Sequence, residues 1–185
     1  MDDPCTRIRL MTAADCDRVS EIRVRGWQHA YRGLMPQPYL DGLSVTADAE
    51  RRRARFGQGD GSVVNLVAVE ALAGPSGHPE RDGRVLGWAA FGPYRDGDAY
   101  TGDAELYAIY VDPAHLGGGI GRALLAASVE RCRACPRMLL WVLKGNASAR
   151  RFYERAGFRA DGAEEAFEAD GVPVPEVRYA RSLRG

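Results

Sequence analysis

The stretch Val111-Asp112-Pro113-Ala114-His115-Leu116-Gly117-Gly118-Gly119-Ile120-Gly121-Arg122 constrains this chain more than any other. A strand-like segment, Glu105-Leu106-Tyr107-Ala108-Ile109-Tyr110-Val111, delivers the backbone into three successive glycines, and a helix begins directly after them. Glycine puts no Cβ between backbone N–H groups and a ligand. The first turn of a helix adds unpaired N–H donors and the positive end of a dipole. Strand, glycines and helix in that order make an anion site suited to a pyrophosphate. A mere flexible turn would have little need of four glycines placed this way.

Two familiar phosphate-binding patterns fail on this stretch. A dinucleotide fingerprint, G-x-G-x-x-G/A, would put its last small residue at Arg122 or at Leu124. A nucleotide-hydrolase loop requires Gly-Lys-Ser/Thr at the helix start, yet the one lysine of the chain is Lys144, on another segment. Composition narrows the partners further. Lys plus Arg number 25 and Asp plus Glu 25, a formal net charge of zero, which argues against nucleic acid or an anionic membrane as partner. No apolar run approaches the roughly 20 residues needed to span a bilayer, and Met1 to Cys5 lacks a signal-peptide pattern, so a cytoplasmic protein is expected.

The rest of the chain reads as one mixed α/β domain over residues 1–185. Thr6 to Leu10 forms a strand, and Thr12 with Asp15 has capping-box spacing ahead of a helix carrying Cys16, Val19, Ile22, Gly26 and Ala30. Gly33, Pro36 and Pro38 end that helix. A second helix over 47–56 carries Arg51, Arg52, Arg53 and Arg55; a phosphate-binding patch is one reading of this cluster, but with Asp48 and Glu50 adjoining it a solvated face is the favoured one. Strands follow over 63–69, 85–91 and 104–111, with polar loops over 71–84 and 92–103. A helix over 120–133, a strand over 138–143 and a helix over 147–156 come next. The chain ends extended, with a strand over 172–181 whose Pro173 and Pro175 confine its start to an edge or irregular stretch. Cys132-Arg133-Ala134-Cys135 lacks the further ligands of a zinc site, and it falls at a helix C-terminus, where the dipole disfavours thiolate. Cys5, Cys16, Cys132 and Cys135 are therefore read as packing thiols, and no metal site is expected.

Two segments resemble the GNAT superfamily of N-acyltransferases. Val111-Asp112-Pro113 with Gly117-Gly118-Gly119-Ile120-Gly121 and Ala123-Leu124-Leu125 is similar to that family's acyl-CoA loop, Gln/Arg-x-x-Gly-x-Gly/Ala, except that Leu116 stands at the Gln/Arg position. Asn146-Ala147-Ser148-Ala149-Arg150-Arg151-Phe152-Tyr153-Glu154-Arg155-Ala156-Gly157-Phe158 is similar to N-x-x-A-x-x-F-Y-x-x-x-G-F. Trp27 to Leu34, with Tyr39-Leu40-Asp41, resembles one subgroup of the family. The resemblance implies a central mixed β-sheet, splayed in the middle and flanked by helices, with acetyl-CoA as co-substrate. Its contacts would come from Ile109, Tyr110, Val111, Leu116, Gly117, Gly118, Gly119, Ile120, Gly121, Arg122, Asn146 and Tyr153.

Acetylating an amine poses a protonation problem. An alkylamine of pKa ~10 is almost wholly ammonium at pH 7, and freeing its lone pair costs about 4 kcal/mol. A carboxylate in the site can hold the cation and then take its proton, directly or through water. Glu105, at the start of the strand feeding the glycine loop, is the expected base. The resemblance gives Tyr153 the role of acid toward the departing CoA thiolate, and gives backbone N–H groups around Ile109 to Val111 the developing oxyanion. Trp27, Tyr31 and Trp141, with Glu105, are expected to line the acceptor pocket; these aromatics, with Tyr39 and Tyr94, either wall it or fill the core. Asp96, Asp98 and Asp103 are further carboxylates that could attract a cationic amine. The acceptor is expected to be a small-molecule or peptide amine, and sheet proteins of this type often form homodimers. A non-catalytic acyl-CoA-binding module is the competing reading, favoured by Leu116 and disfavoured by Glu105 with Tyr153.

Overall fold

The computed structural model describes residues 6–73, 79–96 and 99–184. Expectations for Met1 to Cys5 and Asp98 lie outside them, as does the side chain of Asp96. The elements run β1 Thr6–Leu10, α1 Cys16–Ala30, α2 Gln37–Asp41, α3 Val45–Arg55, β2 Val64–Ala73, β3 Pro79–Asp96 and β4 Ala99–Val111. Then come α4 Ile120–Arg131, β5 Arg137–Leu143, α5 Ala147–Arg155, β6 Arg159–Ala169 and β7 Val172–Ser182. Seven strands form a single mixed sheet in the order β1-β2-β3-β4-β5-β7-β6. Among the described residues no helix is long and apolar enough to cross a membrane.

Side-chain alternation sorts the sheet into two faces. Leu66, Ala68, Leu86, Ala89, Leu106, Leu140 and Tyr179 turn one way, into the main core with Ile120, Leu124 and Leu125 of α4 and Tyr153 of α5. Val67, Val69, Val85, Trp88 and Ala90 turn the other way, beneath Cys16, Val19 and Ile22 of α1. Helix α1 can lie close because Gly26 has no Cβ: one there would stand 2.9 Å from the Tyr110 ring. Gly87 does the same on the α4 side, where a Cβ would meet Leu124 at 2.9 Å and Ile120 at 3.0 Å.

Two sequence expectations are corrected. The spans 71–84 and 92–103 are not loops in their described parts. Backbone pairing continues through Ala71↔Asp82, Ala73↔Pro79, Arg95↔Tyr100 and Asp96↔Ala99, because a ladder is held by backbone groups whatever the polarity of the side chains. After α1 the chain forms an extra helix, α2, with Pro36 as N-cap and Pro38 in the first turn, where a missing N–H costs nothing. Strand β7 lies inside the sheet along most of its length, but its start is the edge that the prolines imply: Pro173 and Pro175 pair with β6 alone, since β5 reaches only as far as Leu143↔Glu176. Cys132 packs in the main core as a free thiol whose burial pushes it up to about 11; Cys16 and Cys135 are free as well.

Candidate active site

The site is set by where the sheet comes apart. Strands β4 and β5 run parallel but pair only at Ala104↔Met138 and Glu105↔Leu139. Beyond those rungs their ladder stops, leaving a wedge-shaped gap with Glu105 at its throat. Along β4 a bulge at Tyr107 intervenes, since Ala90 faces Ala108 while Phe91 faces Leu106. Residues on β4 hydrogen-bond alternately toward β3 and toward the gap, so backbone donors between Ile109 and Val111 line the gap edge.

Above the gap β4 enters the glycine loop. Asp112 anchors the turn: its N–H donates to Leu86 O at 2.8 Å, and its carboxylate accepts from Ala114 N at 3.1 Å and from the Arg18 guanidinium of α1. Gly117 and Gly119 both have positive φ, at 86° and 76°. Gly119 is the N-cap of α4, whose first internal bond is Ala123 N to Gly119 O at 3.0 Å. The N–H groups of Ile120, Gly121 and Arg122 therefore have no acceptor within the helix. A Cβ on Gly121 would meet Phe152 and Val111 at ordinary contact distance, 3.6 Å, so close packing alone does not require glycine there. Leu116 is exposed.

Tyr153 lies buried on α5 beside Phe152 and Phe158, with no hydrogen-bond partner for its hydroxyl among the described residues. Burial raises its phenol well above the ordinary tyrosine range, with a smaller push from Tyr31. Asn146 caps α5, accepting from Ala149 N at 3.0 Å, and is thus committed to the helix end. On the opposite face of the sheet, the hydroxyls of Tyr31 and Tyr110 lie 3.2 Å apart. Trp27 is buried among Tyr31, Tyr39 and Phe167, at ring separations of 5.1, 6.2 and 5.6 Å.

Two acidic residues that sequence reading did not single out complete the site. Ala104 and Leu106 turn into the main core, so Glu105 between them turns to the α1 face. Val177 and Tyr179 likewise turn into that core, which puts Glu176 and Arg178 on the same side as Glu105. Glu165 of β6 stands directly opposite Glu176. Burial pushes Glu105 up to about 7, with Glu165 and Glu176 adding to the rise and Arg178 opposing it. Glu176 is also pushed up to about 7, by burial first and then by Glu165. Arg178 is already engaged. It donates to Asp161 Oδ2 and to the Tyr94 hydroxyl, both at 2.8 Å, and its guanidinium lies 5.6 Å from the Tyr94 ring and 5.7 Å from that of Trp141. Asp103 is instead a structural partner of Arg137 at 2.7 Å, not a free carboxylate of the pocket.

Comparison with known proteins bears on family and fold. The profile of the acetyltransferase (GNAT) family matches residues 70–158. The N-acetyltransferase YuaI of Bacillus subtilis (strain 168) is 29% identical over 173 residues, covering 92% of this chain and 89% of its own. The L-amino acid N-acyltransferase MnaT of Escherichia coli (strain K12) is 30% identical over 156 residues, covering 82% and 78%. The acetyltransferase yncA from Salmonella typhimurium, solved with its cofactor acetyl-CoA, superposes with a TM-score of 0.69 at 25% identity over 97% of this chain and 95% of that one. From the family profile to the splayed sheet and the glycine loop, the findings converge, and the chain belongs to the GNAT family of N-acetyltransferases.

Proposed function

We propose that this enzyme acetylates a small amine bearing a second positive charge, a diamine or polyamine, by direct attack of the amine on acetyl-CoA. The observation that carries the reading is the trio Glu105, Glu165 and Glu176, set on three strands around the gap and without an ion pair among the described residues. The one guanidinium beside them, that of Arg178, is held by Asp161 and Tyr94. An acceptor carboxylate would meet repulsion there, while a second ammonium would meet attraction.

In this reading the N–H groups of Gly117 to Arg122 hold the pyrophosphate and the gap receives the thioester. An ammonium of the acceptor gives its proton to Glu105, directly or through water. The freed nitrogen then forms the new C–N bond, and the C–S bond breaks with its electron pair on sulfur. The Tyr153 hydroxyl donates the proton that leaves CoA as a thiol. The gap-edge N–H groups of β4 meet the carbonyl oxygen as it becomes negative. Trp27 and Tyr31 wall the acceptor side, and Trp141 lies beside Arg178.

CoA release with 1,4-diaminobutane against L-methionine tests the acceptor class. The diamine is expected to give at least a tenfold higher kcat/KM. Since MnaT is named for L-amino acids, equal or better use of L-methionine would overturn the diamine reading. Glu105→Gln should lower kcat by roughly 100-fold or more, as removal of a general base does. Tyr153→Phe should lower kcat by about tenfold or more while acetyl-CoA still binds. Acetyl-CoA binding with no turnover of any amine would instead make the chain a binding module.

A further inference from the structure

The arginine run of α3 is not the uniformly solvated face that its sequence suggests. Arg53 turns away to pair with Asp17 of α1. Arg51, Arg52 and Arg55 instead line a cleft of about 380 Å³, closed on its other side by Arg23 of α1. The lining holds four guanidinium groups and a single carboxylate, Asp48. That carboxylate is shared three ways, with Arg23 at 2.8 Å, Arg52 at 3.3 Å and Arg51 at 3.8 Å. Arg55 has no ion pair among the described residues. In a chain of zero net charge this is a local concentration of uncompensated positive charge.

The arginines are also held in place before any ligand arrives. The Arg52 guanidinium lies 4.3 Å from the Trp88 ring, and its Nε donates to Ser20 Oγ at 3.2 Å. The Arg23 guanidinium lies 4.9 Å from the Trp27 ring. Stacking fixes the planes of these guanidiniums, and after the bonds to Asp48 and Ser20 each keeps further N–H groups without an acceptor among the described residues. Burial holds Arg52 below the usual arginine range even though Asp48 opposes the shift, and Arg23 adds a smaller push in the same direction as burial. A buried cation crowded by another cation is a group that an anion would relieve.

We propose that this cleft binds a small organic phosphate monoester, its phosphate held between Arg51 and Arg55 of α3 and the fixed edges of Arg23 and Arg52, and its apolar body laid on Phe56. A tetrahedral dianion offers three terminal oxygens to forks converging from two helices, whereas a carboxylate offers two oxygens and one charge. The cleft is far larger than a phosphate needs and falls in the range of small-molecule sites. Two of its lining residues are apolar, the buried Met11 and Phe56 at 36% exposure. None of the lining residues belongs to the glycine loop or to the carboxylate trio, so the inference stands apart from acetyl transfer.

Calorimetric titration of the full chain with phenyl phosphate at low ionic strength is the test. Saturable binding is expected, tighter than that of inorganic phosphate and of benzoate. The double variant Arg51→Ala/Arg55→Ala changes two exposed side chains and should fold, as circular dichroism would check. It is expected to weaken phenyl phosphate about tenfold or more, the effect of losing charge-assisted contacts. Absence of saturable binding would overturn the proposal. So would unchanged binding by the double variant, which would put the phosphate at the glycine loop. Equal affinity for inorganic phosphate and phenyl phosphate would overturn the role given to Phe56.

Discussion

On the proposed reading Glu105 owes its role as base to one step of strand alternation. Its neighbours Ala104 and Leu106 are core residues, so the carboxyl is turned to the gap and partly stripped of water, and this burial is the main reason it titrates near 7. A base must be deprotonated to accept a proton. The acid limb of kcat/KM should therefore rise with pH through about 7 and flatten in Glu105→Gln. A limb that persists in the variant would belong to another group, with Glu176 the first to examine. Glu105 and Tyr153 are legible in the sequence as candidates, Tyr153 from its motif and Glu105 from its place at the start of the strand that feeds the glycine loop. Glu165 and Glu176 are not. Between Glu164 and Glu168 the chain alternates so little in polarity that only the pairing register shows which carboxylates face each other.

The loop between β4 and α4 works as a unit. Asp112, tied to α1 through Arg18, fixes where the loop starts, and left-handed Gly119 fixes how α4 begins. Gly119→Ala would meet no clash, since the nearest atom to a Cβ there is Arg122 Nη2 at 3.6 Å. It would still force alanine into the left-handed region at about 1–2 kcal/mol. A melting temperature lower by several degrees is expected. On the proposed reading a several-fold rise in KM for acetyl-CoA should accompany it; unchanged KM would show that the pyrophosphate does not approach this residue. Helix α4 and its glycines were legible because capping and periodicity are local. The true lengths of β2, β3 and β4 were not, because polar hairpin arms are paired by partners that composition does not reveal. Helix α2 was hidden by two prolines that usually signal the end of a helix.

The fold is two leaves of sheet, β1 to β4 and β5-β7-β6, sharing one apolar core but only two rungs of ladder. Crowding carboxylates where the leaves part has a consequence for stability. Burial holds Glu105 and Glu176 up to about 7 in the native state, above the ordinary glutamate value of about 4.5, so the native protein binds more protons than the unfolded chain between those values. Their contribution is complete below about 4.5 and is lost as pH rises through about 7. Glu176→Gln should thus melt at a temperature less dependent on pH between 5 and 7.5 than the parent does, measured by calorimetry in parallel. A parent no more pH-dependent than the variant would remove Glu176 as a source of the effect. The same two-rung junction also sets how the chain bears load. Strand β1 forms the outer edge of one leaf, and the described chain ends after β7 in the other. A pull that draws β1 away from β6 runs across the strands and loads the junction's few hydrogen bonds along their own direction. Under tension the molecule opens as a book does, along the line of the gap.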